Sequence, residues 1–371
     1  MHPIFHLLFV LPSAAATSQL PLRGTTTTPK DGYAGNPVFP GWYADPEARI
    51  FNRQYWIYPT YSAAYEDQTF FDAFSSPDLL TWTKHPSVLN FSTIPWSTDR
   101  AAWAPSVARR RQRRRSTSPQ NRGPTVPKHQ EPGSTPTPTA DEHEHEHDYD
   151  YDYDYDYFMY FSAGDGAGIG VAKSATGRPE GPFIDALGTP LVGETTISGA
   201  EPIDAQLFQD DDDGRVWLYF GGWSHAVVVE LNDDMVSLKG AYLEITPKDY
   251  VEGPWMLKRN GVYYFMYSVG GWGDNSYGVS YVTAASPTGP FSSTPTKILS
   301  GNDDVGTGTG HNSVFTPDGE NYYIVYHRRY LNDTARDHRI VCIDRMEFDL
   351  DGNILPVNIT IEGVKGRLLL P

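Results

Sequence analysis

Cysteine is almost missing from this chain: Cys342 stands alone in 371 residues, so no internal disulfide can staple the fold. It sits in the apolar run "RIVCIDRMEF", which reads as a small core residue rather than a nucleophile. Basic residues are scarce too. Against 46 Asp and Glu there are 29 Lys and Arg, for a formal charge of −17, and that balance argues against a nucleic acid or other polyanionic partner. Long apolar runs are also wanting, and no segment is long enough to span a bilayer. Neutral ligands fit this composition better.

The chain opens on "MHPIFHLLFVLPSAAATSQ", a short apolar stretch followed by small residues, with Ala14 and Ala16 at the A-x-A positions of a signal-peptidase site. The expectation is a signal peptide over 1–16, a linker over 17–35 and a secreted, extracellular protein. Sequons at Asn90, Asn332 and Asn358 agree with glycosylation outside the cell. Hydrophobic residues make up 39% of the chain and aromatic ones 13%, enough to bury a full core.

An internal repeat decides the architecture. The segments "ADPEARIFNRQYWIY", "IDAQLFQDDDDGRVWLY", "VEGPWMLKRNGVYYFMY" and "GHNSVFTPDGENYYIVY" share one layout: a polar residue, an apolar strand, a turn with Asn or Asp, and an aromatic strand closing on Tyr. Each reads as a β-hairpin. Asp204 to Tyr219, Glu252 to Tyr267 and His311 to Tyr326 each span 15 positions, and Asp45 to Tyr58 spans 13. A fifth copy runs from "RAAWAPSVARR" to "YFMYFSAG", where Trp103 to Tyr160 spans 57, an excess of 42. Five such units with Gly/Pro-rich connections predict an all-β, five-bladed β-propeller over 36–371.

The excess falls at one hairpin turn, about 109–150, and holds the basic run Arg109 to Arg115, a Pro/Ser/Thr stretch and "HEHEHDYDYDYDYDYF" from His143 to Phe158. Alternating His and acid could bind a divalent metal on one face of an extended strand. Low complexity and the lack of a fixed scaffold favour a disordered surface loop instead. The basic run reads as a solvated loop on the same grounds, and the Asp-Tyr tract prolongs the hairpin strand as it enters the blade.

First strands of propeller blades line the central channel, so Asp45, Trp103, Asp204, Glu252 and His311 should converge at one mouth. Taken singly, each has a bland reading: Asp45 as a turn before Pro46, Asp204 as a strand cap, Glu252 as a loop residue, His311 as a core histidine. Taken together, three carboxylates at matching positions point to chemistry. A protonated and an ionised carboxyl on opposite sides of a sugar ring are the equipment for glycoside hydrolysis, and a third acid raises the proton affinity of the general acid. Trp42, Trp103, Trp223, Trp255 and Trp272 stand near blade starts or glycine pairs, where a flat ring could stack on a sugar.

From about Asn36 to Lys365 the chain resembles glycoside hydrolase family 43, inverting five-bladed propellers acting on arabinose- and xylose-containing polysaccharides. The resemblance rests on "NPVFPGWYADPEARIF", "RAAWAPSV", "EPIDAQLF", "YVEGPWMLKRNGVYYFMYS", "GTGTGHNSVF" and "HRIVCIDRMEF". It implies Asp45 as general base, Glu252 as general acid and Asp204 as modulator of the acid. Trp103 would wall the sugar subsite, Arg339 would reach the sugar or Asp204, and His311 would be the channel histidine; Trp42, beside the first blade start, is a further substrate-binding candidate. No cofactor is required; a structural Ca²⁺ near His311, held through water, is what some members would suggest.

The resulting expectation is a secreted, monomeric, inverting hydrolase that releases terminal α-L-arabinofuranose from plant cell-wall polysaccharide or oligosaccharide. β-Xylosidase is the alternative within the class. A catalytically silent carbohydrate-binding propeller and a protein-partner scaffold are the alternatives outside it, and neither requires the three acids.

Overall fold

A computed structural model describes residues 31–111, 155–164, 166–193 and 195–369. Five antiparallel sheets follow one another along the chain. Blade one is β1 (Tyr43–Phe51), β2 (Gln54–Tyr61), β3 (Phe70–Ser76) and β4 (Thr83–Asn90); blade two is β5 (Ala102–Arg111), β6 (Tyr155–Ala163), β7 (Gly168–Ser174) and β8 (Phe183–Asp185). Blade three is β9 (Gln206–Gln209), β10 (Val216–Phe220), β11 (Val227–Leu231) and β12 (Leu238–Glu244), and blade four is β13 (Glu252–Arg259), β14 (Val262–Val269), β15 (Gly278–Ala284) and β16 (Thr296–Ser300). Blade five has β17 (Gly306–Phe315), β18 (Tyr322–Tyr330) and β19 (Arg339–Met346). The protein is a five-bladed β-propeller, as the repeat predicts.

Its core is divided among the blade interfaces. Tyr58, Phe71, Met159 and Phe161 pack between blades one and two, while Tyr160, Leu218, Val227 and Val229 pack between two and three. Tyr219, Val228 and Phe265 fill the next interface, Met266, Ile324 and Cys342 the fourth, and Ile57, Phe74, Val325 and Val341 close the circle. Both faces of the middle strands are therefore buried, which is why β18 is buried without alternation from Tyr322 to Arg329, polar residues included. Burial pushes the Cys342 thiol up to about 12, consistent with an inert core residue.

The closing tyrosines of the repeat have a structural task. Tyr58 donates from its hydroxyl to the Pro179 carbonyl, Tyr160 to Met235 and Tyr219 to Pro287, each reaching the outer hairpin of the next blade. The first and last described segments pack against blade five and each other. Val38 N–H donates to Val341 O, Asn36 bonds Ile343 on both its N–H and its C=O, and residues 34–36 donate to 361–364. The segment expected to be linker thus joins the propeller from residue 33 onward, where Tyr33 bridges Lys365.

The insert begins later than its composition suggests. Arg109, Arg110 and Arg111 belong to β5 and pair with Tyr157, Asp156 and Tyr155, so the Asp-Tyr tract does prolong a strand. The Arg109 guanidinium lies 4.6 Å from the Tyr155 ring, a cation–π contact that keeps basic and aromatic residues in the ladder. Residues 1–30, including the segment expected to be a signal peptide, residues 112–154 and the histidines of the tract lie outside the described residues.

At the channel mouth a left-handed residue stands at the matched position of every blade: Asp45 (φ 47°), Ala104 (43°), Gly253 (63°) and His311 (45°) at bulges of β1, β5, β13 and β17, and Asp204 (59°) just before β9. The matched positions are therefore these five. Trp103 and Glu252 sit one residue earlier than the repeat count assumed, because two-for-one bulges offset the register. Each bulge N–H is turned toward the preceding blade and needs an acceptor there. Thr60 Oγ1 takes the Ala104 N–H at 2.8 Å, Ser162 Oγ that of Asp204 at 2.8 Å, Ser268 Oγ that of His311 at 3.0 Å, and His327 Nδ1 that of Asp45 at 3.1 Å.

Three residues further in, a second set repeats the device: Val107, Leu207, Met256 and Ala48 N–H groups donate to the side chains of Glu47, Ser106, Gln206 and Ser313. Trp255 occupies the fifth position. Arg49, paired with Glu47, crosses to the Leu207 carbonyl at 2.8 Å and lies 4.9 Å over the Trp255 ring. A guanidinium, a carboxylate and an indole thus occupy the channel below the bulges.

Removing one acceptor should leave a buried N–H unpaired. Ser162→Ala is expected to destabilise the fold by about 1–3 kcal/mol, read from urea denaturation; a change below about 0.5 kcal/mol would mean that this inter-blade bond contributes little.

Candidate active site

Blade three breaks the pattern of acceptors, and the break builds the site. The residue corresponding to Thr60, Ser162, Ser268 and His327 is Gly221, which has φ 130° and whose added Cβ would stand 2.0 Å from the His225 carbonyl oxygen. No side chain fits there. The Gly253 N–H is met instead by the Asp204 carboxylate, Oδ2 at 3.0 Å. Asp204 is thereby fixed beside Glu252, one residue before Gly253.

Asp45 is nearly buried, 9% exposed, and several groups converge on its Oδ1: Arg339 Nη1 at 3.2 Å, His327 Nδ1 at 3.3 Å and His311 Nδ1 at 3.4 Å. Burial alone would raise this carboxyl, but Arg339, then His311, outweigh it and hold Asp45 well below the usual carboxylate range. Ser62 Oγ accepts from Arg339 Nε at 3.0 Å and orients the guanidinium. Burial pushes His327 down to about 4, so it is neutral. Its Nδ1 cannot both accept from the Asp45 amide and donate to the carboxylate; the amide bond repeats around the ring and assigns the proton to Nε2.

His311 lies between two of the acids, 3.4 Å from Asp45 and 3.7 Å from Asp204 Oδ2, and burial lowers its proton affinity. Glu252 accepts from the Tyr277 hydroxyl at 2.8 Å. Tyr277 reaches it by crossing Gly310, where a Cβ would meet the Tyr277 ring at 2.0 Å. Burial raises Glu252, the Tyr277 bond opposes this, the negative charges of Asp45 and Glu201 add to it, and the carboxyl comes to about 7. Asp204 is also raised, by burial and then by the charges of Glu252 and Asp45, with the Gly253 N–H pulling the other way. The two neighbours resist double ionisation, whereas Asp45 is ionised throughout.

The walls come from β5 and from loops. Trp103 donates from Nε1 to Gln68 and meets the edge of Tyr65 at 5.0 Å. Arg336 stacks over Tyr65 at 5.1 Å and over Trp272 at 4.8 Å, and Trp272 in turn covers Arg339 at 5.1 Å. An arc of contacts therefore runs from Trp103 round to Asp45. Trp42 stands outside it, one indole face taken by His338 at 4.3 Å. The sequence places Asp45, Asp204, Glu252, His311, Trp103 and Arg339 in one mouth, and the structure brings them together, with Arg339 on Asp45 rather than on Asp204. Tyr277, Tyr65 and Arg336 are not found by sequence reasoning, since they lie in loops and carry no repeat signal; His327 is missed because its position, shared with Thr60, Ser162 and Ser268, changes residue type from blade to blade.

Among the described residues no group of three or more His, Cys, Asp or Glu is arranged to hold a metal ion. A calcium ion near His311 would thus take most of its ligands from water.

Glu252 makes stability depend on pH. A carboxyl raised from 4.5 to about 7 on folding keeps its proton longer in the native state, so the native state loses stability as pH climbs through that window. Glu252→Gln should remove this slope. Its melting temperature is expected to exceed that of the parent by about 3 °C or more at pH 8 and to match it near pH 4; a difference independent of pH would contradict the assignment.

Comparison with known proteins agrees with this geometry. The profile of the family described as Glycosyl hydrolases family 43 matches residues 150–354. The Beta-D-galactofuranosidase xynD of Aspergillus niger is 68% identical over 363 residues, covering 98% of this chain and 96% of that protein. An Arabinoxylan arabinofuranohydrolase of Bacillus subtilis is 29% identical over 214 residues, 50% of this chain and 41% of that protein. An alpha-L-arabinofuranosidase structure from Clostridium thermocellum superposes with TM-score 0.63 at 28% identity, over 87% of this chain and 95% of the other. With a profile match over more than half the chain and a relative aligned almost end to end, the chain belongs to glycosyl hydrolases family 43.

Proposed function

We propose that this glycoside hydrolase removes terminal furanose units by single displacement, with Glu252 as general acid, Asp45 as general base and Asp204 raising and orienting the acid. The observation that carries the reading is the contrast in protonation at one channel mouth: Asp45 held ionised by Arg339, Glu252 raised to about 7. Asp45 would take a proton from water as it attacks the anomeric carbon, and Glu252 would give one to the leaving oxygen. The acids stand in blades one and four, which are not neighbours in the ring.

Two relatives act, by their names, on galactofuranose and arabinofuranose. α-L-Arabinofuranosides and β-D-galactofuranosides share configuration from C1 to C4 and differ only in the exocyclic chain at C4, so one pocket can present the same donors to both. The arc from Trp103 to Arg339 supports release of a single terminal unit. The substrate we propose is a side-chain furanose of plant cell-wall polysaccharide, met outside the cell; the apolar, A-x-A-bearing N-terminus supports that location.

The test is a panel of p-nitrophenyl α-L-arabinofuranoside, β-D-galactofuranoside and β-D-xylopyranoside together with branched arabinan, the products sized by chromatography. Turnover of one or both furanosides above the xyloside, with monosaccharide alone from the polymer, is expected. A faster xyloside would replace the reading by β-xylosidase, and a silent panel by a binding propeller. On the same panel Glu252→Ala should lose about 10²–10⁴-fold on the polymer and far less on the aryl glycosides, whose leaving group needs little protonation; equal losses would remove Glu252 from the acid role.

A further inference from the structure

Trp223 is 75% exposed, unusual for the largest apolar side chain of the set. Its backbone, with that of Ser224, is left-handed (φ 52° and 65°), a conformation that costs energy for residues other than glycine and persists only where its surroundings enforce it. They do so here. Gly221 and Gly222 N–H groups donate to Ile203 and Glu201 carbonyls, His225 N–H closes the turn on Gly222 O at 3.1 Å, and Ser224 N–H donates to Val251 O at 3.2 Å. His225 is anchored at 2.9 Å to Glu244. A rigid turn, bonded through Ser224 to Val251, the residue before Glu252, thus carries a bare indole.

That position assigns the ring a side of the reaction. The acid protonates the oxygen that leaves with the rest of the chain, so groups beyond Glu252, away from Asp45, face the leaving sugar and not the furanose being released. Trp103, Tyr65, Arg336 and Trp272 form the wall that runs round to Asp45. Trp223 lies in blade three, between β10 and β11, and among the described residues makes no ring stacking or cation–π contact with that wall. We propose that Trp223 is the stacking platform for the first sugar ring of the leaving chain, a neutral pyranose or furanose, and that it sets the preference for polymer over simple glycosides. The proposal rests on the roles given to Glu252 and Asp45 above.

The experiment compares the wild-type protein with Trp223→Ala and Trp223→Phe on methyl α-L-arabinofuranoside and on xylotetraose carrying one arabinofuranose. Binding of plain xylotetraose is followed in parallel by calorimetry. Trp223→Ala should lose about tenfold in kcat/KM on the oligosaccharide, carried by KM, and no more than about twofold on the methyl glycoside. It should weaken xylotetraose binding by a similar factor, and Trp223→Phe should recover most of each loss. Equal losses on both substrates, unchanged KM in Trp223→Ala, or no xylotetraose binding by the wild type would overturn the platform. If the wild type cleaves neither furanoside yet xylotetraose binding depends on Trp223, the furanosidase reading fails and the platform stands.

Discussion

The hydrogen bond from the Gly253 N–H to the Asp204 carboxylate joins the architecture of this protein to its chemistry. Everywhere else around the channel mouth the equivalent bulge N–H is met by a hydroxyl or an imidazole from the second strand of the preceding blade. Between blades three and four that side chain cannot exist, because Gly221 is pressed against the His225 carbonyl. An acid just before the first strand of blade three takes over, so closure of the ring and placement of a carboxylate beside Glu252 come from one bond. The left-handed backbone at the bulges costs about 1–3 kcal/mol for each non-glycine residue, offset by the inter-blade bonds it permits and by the aromatic packing outside them.

From that arrangement follows a site in which neighbouring acids differ in charge for identifiable reasons. Asp45 has a guanidinium in contact, itself oriented by Ser62 and covered by Trp272. Glu252 has a phenol and two negative neighbours. Burial is common to both, and only the partners decide which carboxyl keeps its proton. The proposed division between base and acid is thus a property of second-strand and loop residues as much as of the acids. Arg339 is the side chain whose loss would blur it, because its charge is what holds Asp45 ionised.

Much of this was legible in the sequence because a propeller repeats itself. Hairpin layout, the closing tyrosines and the three acids all recur at blade spacing, and the tyrosines turn out to pin neighbouring blades. Counting along the chain placed Glu252 and Trp103 in line with Asp45, whereas the bulge residues are Gly253 and Ala104; a bulge inserts one residue without leaving a compositional mark. Arg109 to Arg111 looked like loop and lie in a strand, because cation–π contacts and ladder bonds, not composition, decide where β5 ends. Tyr65, Arg336 and Tyr277 escaped detection altogether. Tyr65 and Arg336 meet through loops of two blades and Tyr277 reaches Glu252 from a loop of a third, and nothing local in a sequence records such contacts.

The central claim is that an ionised Asp45 and a protonated Glu252, set in non-adjacent blades, act on one glycosidic bond in a single step. Proton NMR of the sugar first formed from an α-L-arabinofuranoside, followed before mutarotation, tests it most directly. Inversion through a water between the base and the anomeric carbon requires carboxyls about 6.5–9.5 Å apart, and the account predicts that the β-anomer appears first. Initial release of the α-anomer would mean a covalent intermediate and two displacements, and would contradict both the assigned roles and the separation on which they depend.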